Sequence, residues 1–180
     1  MSVDTDTPPV LGQFNGLLDD QPRVPICRVP RTAMVQADLR DPDGILTAAD
    51  TLALLDFDRP VGLLLAEVLD FLPDTDHPHD VMRTFLNSLA PGSFIAISHI
   101  TDEADPDRAS LLEEFYSHTL APRQTRGRHQ IAHFFDGTEP VHPGLSYVCD
   151  WTPHILWRPH IVDPYWPPAH VWMLGGVGHL

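Results

Sequence analysis

Hydrophobic and polar positions divide this chain into an irregular front, a regularly patterned middle and a proline-rich tail. The middle opens at residues 33–39 (AMVQADL), which read as a short strand, and continues into a helix over 43–55 that puts Ile45, Leu46, Ala49, Leu52 and Leu55 on one face. Asp58-Arg59-Pro60 ends it. VGLLLA at 61–66 is continuously apolar, the pattern of a parallel strand covered on both faces. Pro78 then opens a helix with the stripe Val81, Met82, Phe85, Leu86 and Leu89, closed by Pro91-Gly92. SFIAISHI at 93–100 is a third strand. Asp105-Pro106 opens a third helix, with Leu112, Phe115, Tyr116 and Thr119 at helical spacing. A shorter helix over 127–135 leads to two strands, 138–141 and 145–151. The link between them, His142-Pro143-Gly144, is short enough for an antiparallel hairpin at a sheet edge. Three strand–helix repeats predict an α/β fold with a mostly parallel sheet.

The flanks behave differently. Residues 1–32 hold Pro8, Pro9, Pro22, Pro25 and Pro30, a density that blocks long helices and central strands. They predict an irregular arm, with a short helix at 10–18 carried by Leu11, Phe14, Leu17 and Leu18. Residues 33–152 are expected to form the α/β domain. The remainder, 153–180, is rich in Pro, His and Trp and ends in MLGGVGHL, which predicts an ordered strap over the surface.

Composition narrows the function classes. The chain has 180 residues, of which 43% are hydrophobic, and a domain of that size buries roughly 70% of the surface its unfolded chain exposes. Its longest apolar run, 61–66, stops at Glu67, far short of the ~20 residues of a membrane span, so no membrane partner is expected. MSVDTDTPPV has two acids and no basic, then apolar, leader, which predicts a cytoplasmic protein. With 11 Lys+Arg against 25 Asp+Glu and a net charge of −14, the chain offers no basic stripe for nucleic acid. Full protonation of the 11 histidines would cancel most of that charge, so net charge varies steeply in mild acid. Cys27 and Cys149 form no CxxC and read as reduced thiols.

VQADLRDPDGIL, RPVGLLLAEVLDFLPD, LAPGSFIAISH, IAHFFDG, VHPGLSYV and the closing GGVG, in this order and spacing, resemble the second half of the S-adenosyl methyltransferase family, class I and Rossmann-like. The resemblance implies a mostly parallel sheet with S-adenosylmethionine across the carboxyl ends of its strands. It makes 33–39 the family's strand three, 61–66 strand four and 93–100 strand five. Strands one and two, with the glycine-rich turn and the ribose-binding acid, are read as absent, so the chain looks truncated and its cofactor site incomplete. Strand three then needs a new neighbour, because unpaired buried backbone groups cost about 1–3 kcal/mol each. It can move against strand four, take the arm at 25–29, or take a second copy of the chain that completes the sheet edge.

The resemblance also implies the site. Asp38 would accept from the adenine amino group, with Leu39 at the ring edge and Ala66 beside the donor. The same Asp38-Arg40-Asp41 stretch equally reads as a solvated, helix-capping turn. Glu67 and Asp70 are candidates to position a small-molecule acceptor or to take its proton, although the family often carries histidine where Asp70 stands. His99, at the end of the third strand, is a candidate on the acceptor side. His77 and His79 straddle Pro78 at a helix start, a poor metal pair, and no metal is expected. A noncatalytic domain that uses the same cleft for binding or assembly is the alternative.

Overall fold

The computed structural model describes residues 2–4, 33–119, 122–151 and 172–180. The helix expected at 10–18, the arm segment 25–29, Cys27 and the tail at 153–171 lie outside the described residues.

Strand β1 (Ser2–Asp4) pairs in parallel with β2 (Met34–Gln36), Val3 opposite Val35. Of the neighbours expected for the first middle strand (strand four, the N-terminal arm or a second copy), it is the N-terminal part of the chain that pairs with it, at 2–4 where 25–29 was expected. Three residues with one valine are too short for a period to register in the sequence. After β2 the chain forms α1 (Pro42–Thr47) and α2 (Ala49–Leu54) where one helix was expected. The break falls at Ala48, which is extended (ψ 138°) although alanine is the best helix former. Packing overrides propensity there, since α1 leans on the later helix α3 (Pro78–Ser88) and α2 leans on β2.

The larger sheet is built on two parallel strands, β3 (Gly62–Ala66) and β4 (Phe94–Ile100), with Leu65 opposite Ile97. Helix α3 connects them and buries Val81, Met82 and Phe85, each contributing about 1.5–3 kcal/mol. Gly92 takes a left-handed φ of 88° in the turn before β4, a conformation glycine adopts without a steric cost.

On its other side β4 is paired along its length with β7 (Met173–His179), antiparallel. The closing GGVG is therefore a strand inside the sheet, where a surface strap was expected. Its glycines hid it, because they lower strand propensity, and the packing explains them. A Cβ on Gly178 would meet Thr138 Oγ1 at 2.2 Å, and one on Gly176 would meet the Phe135 ring at 3.1 Å. The expected hairpin is also rearranged. Its two strands, β5 (Glu139–Pro140) and β6 (Ser146–Tyr147), each pair antiparallel with β7 and not with each other.

The α/β class with a parallel centre and antiparallel strands beside it holds. One apolar core runs through it, including Leu65, Leu69, Phe85, Ile95, Ile97, Phe134 and Leu174. Helix α4 (Pro106–Ser117) departs from expectation. It buries only Ala109 and leaves Leu111 64% and Phe115 69% exposed. The Glu113 carboxylate ties it down by accepting from Thr125 N at 2.6 Å and Thr125 Oγ1 at 2.7 Å. A short helix α5 (Arg128–Ala132) precedes a 3-10 turn at His133–Phe135. Among the described residues no helix is long and apolar enough to cross a membrane.

Candidate functional site

The chemistry-bearing residues gather where β2 and β3 end. After β2, Asp38 Oδ1 accepts from the Arg40 backbone N at 2.9 Å and from Arg40 Nη1 at 3.2 Å, while Oδ2 accepts from Nη1 at 3.1 Å. The backbone hydrogen bond from Arg40 is the main cause that lowers the Asp38 carboxyl below the ordinary aspartate value. Arg40 also donates to Asp76 at 2.6 Å, which ties this turn to the loop after β3. A carboxylate has about four lone-pair positions, and three hydrogen bonds leave one on Oδ2. Asp41 caps α1 by accepting from Gly44 N. Leu39 packs half-buried against the core.

After β3 the chain turns sharply. Ala66 is exposed, and Glu67 takes a left-handed φ of 55° while its N–H still donates to Ser98 O on β4 at 3.1 Å. Its carboxylate side chain is 43% exposed and stands 3.5 Å from Arg123 Nη1. Three residues on, Asp70 points inward. Asp70 and His99 are both fully buried, with Asp70 Oδ1 2.9 Å from His99 Nδ1. The same Nδ1 lies 2.7 Å from Ile100 O, and Asp70 Oδ1 accepts from Ile100 N at 3.2 Å.

The other ring nitrogen of His99 faces Arg126 Nη1 at 2.8 Å. An arginine N–H can only donate, so Nε2 accepts and the ring proton sits on Nδ1. Arg126 is itself fully buried. It donates to Leu69 O at 3.1 Å, to Leu72 O at 2.7 Å and to Asp74 Oδ1 at 2.8 Å, and its guanidinium lies over the Phe134 ring. The hydrogen bond from Arg126 holds the Asp74 carboxyl below its ordinary value. This clamp fixes the loop after β3 to the segment 122–127, which also supplies the Gln124 N bond to Asp70 O at 2.8 Å.

Structure thus brings Glu67, Asp70 and His99 into one neighbourhood but on opposite sides of its surface. Glu67 reaches solvent. Asp70 and His99 lie beneath, sealed from solvent. Asp38 and Leu39 sit on a separate turn, joined to this one through Arg40 and Asp76.

Arg123 and Arg126 escaped the reading of motifs. A signal existed, because the chain has no lysine and three of its 11 arginines fall within 123–128. His77 and His79 part company. His77 is left-handed (φ 51°) ahead of Pro78, while His79 stacks on Phe134 with centroids 4.5 Å apart. Burial first, and then the Arg126 charge, lower the His79 pKa. Among the described residues no group of three or more His, Cys, Asp or Glu is arranged to hold a metal ion.

Comparison with known proteins agrees with this architecture. A family model described as S-adenosyl methyltransferase matches residues 1–179. A DUF574 family protein from Streptomyces avermitilis superimposes with a TM-score of 0.81 at 33% identity, covering 98% of this chain and 63% of its own. A candidate methyltransferase from Thermobifida fusca gives 0.78 at 30% identity, covering 98% and 61%. The chain therefore spans less than two thirds of the length of these two relatives. The N-methyltransferase NodS of Bradyrhizobium japonicum, solved with S-adenosyl-l-homocysteine, shares the Rossmann-like fold at 11% identity and a TM-score of 0.53, covering 98% and 64%. Among curated proteins none matches the chain.

Proposed function

The chain belongs to the S-adenosyl methyltransferase family, and on that premise we propose that it acts in S-adenosylmethionine-dependent methyl transfer to a small-molecule acceptor. The adenine end of the donor rests on the turn after β2, with the spare Oδ2 position of Asp38 accepting from the amino group and Leu39 at the ring edge. S-adenosylmethionine supplies an electrophilic methyl on a sulfonium. The displacement is in line, so the work of this chain is alignment, and a base is needed only for an acceptor that must lose a proton.

The observation that carries this reading is Glu67. A non-glycine residue in the left-handed region costs on the order of 1–3 kcal/mol and persists where its surroundings over-determine it, typically at a ligand site. Here the surroundings are the Ser98 hydrogen bond above and the Asp70–His99–Arg126 clamp below. Glu67 faces the acceptor at the carboxyl end of β3, with Ala66 before it. Asp70 and His99 act as positioning residues, because both are sealed from solvent.

Calorimetric titration of the 180-residue chain with S-adenosylmethionine and S-adenosylhomocysteine, repeated on Asp38→Ala, tests the reading. Micromolar binding weakened about tenfold by the substitution, the size of one charge-assisted hydrogen bond, supports it. Absence of heat at millimolar ligand makes the chain a noncatalytic relative.

A further inference from the structure

Arg123 sits beside the proposed acceptor face and is held in an unusual way. Its guanidinium carbon lies 4.6 Å from the Phe71 ring centroid and 5.1 Å from that of Tyr116. One ring comes from the turn after β3 and the other from α4. Aromatic faces keep a guanidinium in place through cation–π attraction without using up its N–H donors. Its ion pair is with Glu67, at the outer limit of hydrogen bonding (3.5 Å), and Arg123 Nε is withdrawn from water with no partner.

We propose that Arg123, held between Phe71 and Tyr116, is a specificity-determining residue that takes a carboxylate on the methyl acceptor. The assignment rests on the methyltransferase reading above. A planar carboxylate matches the guanidinium fork and binds it through two charge-assisted hydrogen bonds. Among the described residues, the ion pair such a group competes with is the long, part-buried contact to Glu67. An acceptor oxygen that reaches Nε satisfies a donor already stripped of water, so the desolvation that opposes binding is confined to the part of the guanidinium still exposed. Glu67 then becomes the group that an anionic acceptor displaces, and its carboxylate swings toward solvent. The surrounding charge sharpens the choice. In a chain of net charge −14, an anion is attracted only where a cation is under-neutralised, and Arg123 meets that condition beside the carboxyl end of β3.

The test uses the full chain and two probes of equal shape, benzoate and benzamide, titrated with and without S-adenosylhomocysteine. Wild-type protein is expected to bind benzoate and to discriminate against benzamide. Arg123→Gln should weaken benzoate by about tenfold or more, the weight of a charge-assisted pair. Arg83→Gln, a control arginine on α3 paired to Asp80, should leave benzoate binding as it was, and Glu67→Gln should tighten it. Equal binding of the two probes, or benzoate binding indifferent to Arg123→Gln, overturns the proposal while S-adenosylhomocysteine binding keeps the methyltransferase reading. Benzoate binding that depends on Arg123 in a chain blind to S-adenosylhomocysteine does the reverse: the anion site stands and its assignment to a methyl acceptor falls.

Discussion

Arg123 and Arg126 lie three residues apart on one connecting segment and are used in opposite ways. Arg126 is fully buried and every nitrogen of its guanidinium meets an acceptor: Asp74, His99 and the carbonyls of Leu69 and Leu72. Arg123 is framed by rings, with a long ion pair and an unmet Nε. The same side chain is a rivet in one place and an open hand in the other. Solvent and saturation separate them, and a segment that needs both can rigidify the loop after β3 while leaving a cation free to recognise something.

Substitutions can sharpen or break that contrast. The largest effect is expected at Arg126. Arg126→Met strands the carbonyls of Leu69 and Leu72 and the buried Nε2 of His99, at about 1–3 kcal/mol for each group left unsatisfied. Urea unfolding monitored by far-UV circular dichroism measures it. Arg126→Lys should recover little, because an ammonium cannot reproduce the fork. If Arg126→Met unfolds at the wild-type midpoint, the clamp is not what holds the loop. At Arg123 the stability change should be small. Arg123→Met keeps an apolar stem between Phe71 and Tyr116 and loses a surface-type pair worth about 0–1 kcal/mol. A loss as large as that at Arg126 would erase the distinction between the two.

The smallest effects are pH-dependent. The His79 pKa is lowered in the folded chain, so the unfolded chain binds a proton more readily, and stability should fall as pH drops below about 6.5 toward the folded value. Thermal melts at pH 7.5 and 5.5 should show a shallower drop for His79→Gln than for wild type. Asp74 follows the opposite group type with the same sign. Its carboxyl is lowered by Arg126, so its contribution is present above the unfolded value of about 4 and is lost as pH falls through the folded one. Its carboxylate is more than half exposed, which keeps that contribution small.

Local pattern made β3, α3 and β4 readable, because a continuous apolar run and a helical stripe are recorded residue by residue. Elements whose reason lies elsewhere in the chain were opaque. β7 needs glycines because Thr138 and Phe135 press on it, and no window around GGVG contains that information. Ala48 breaks a helix because α1 and α2 lean on different neighbours. In the site, strand-end positions such as Asp38 and Glu67 could be nominated from their place after apolar runs. Arg126 could not, since its value depends on His99 and Asp70, which lie 27 and 56 residues away in sequence and acquire meaning only once the sheet is folded.

The outer edge of β3 carries a last consequence. Among the described residues β3 pairs only with β4, and Leu64 on it is 72% exposed. Neither a bulge, a charge nor a proline interrupts GLLLA, the devices by which sheet proteins blunt an open edge. Self-association is therefore the hazard to watch when this polypeptide is made alone. Light scattering against concentration should rise earlier for it than for Leu64→Lys, and a colloidally quiet wild type would mean that something already lies along that edge.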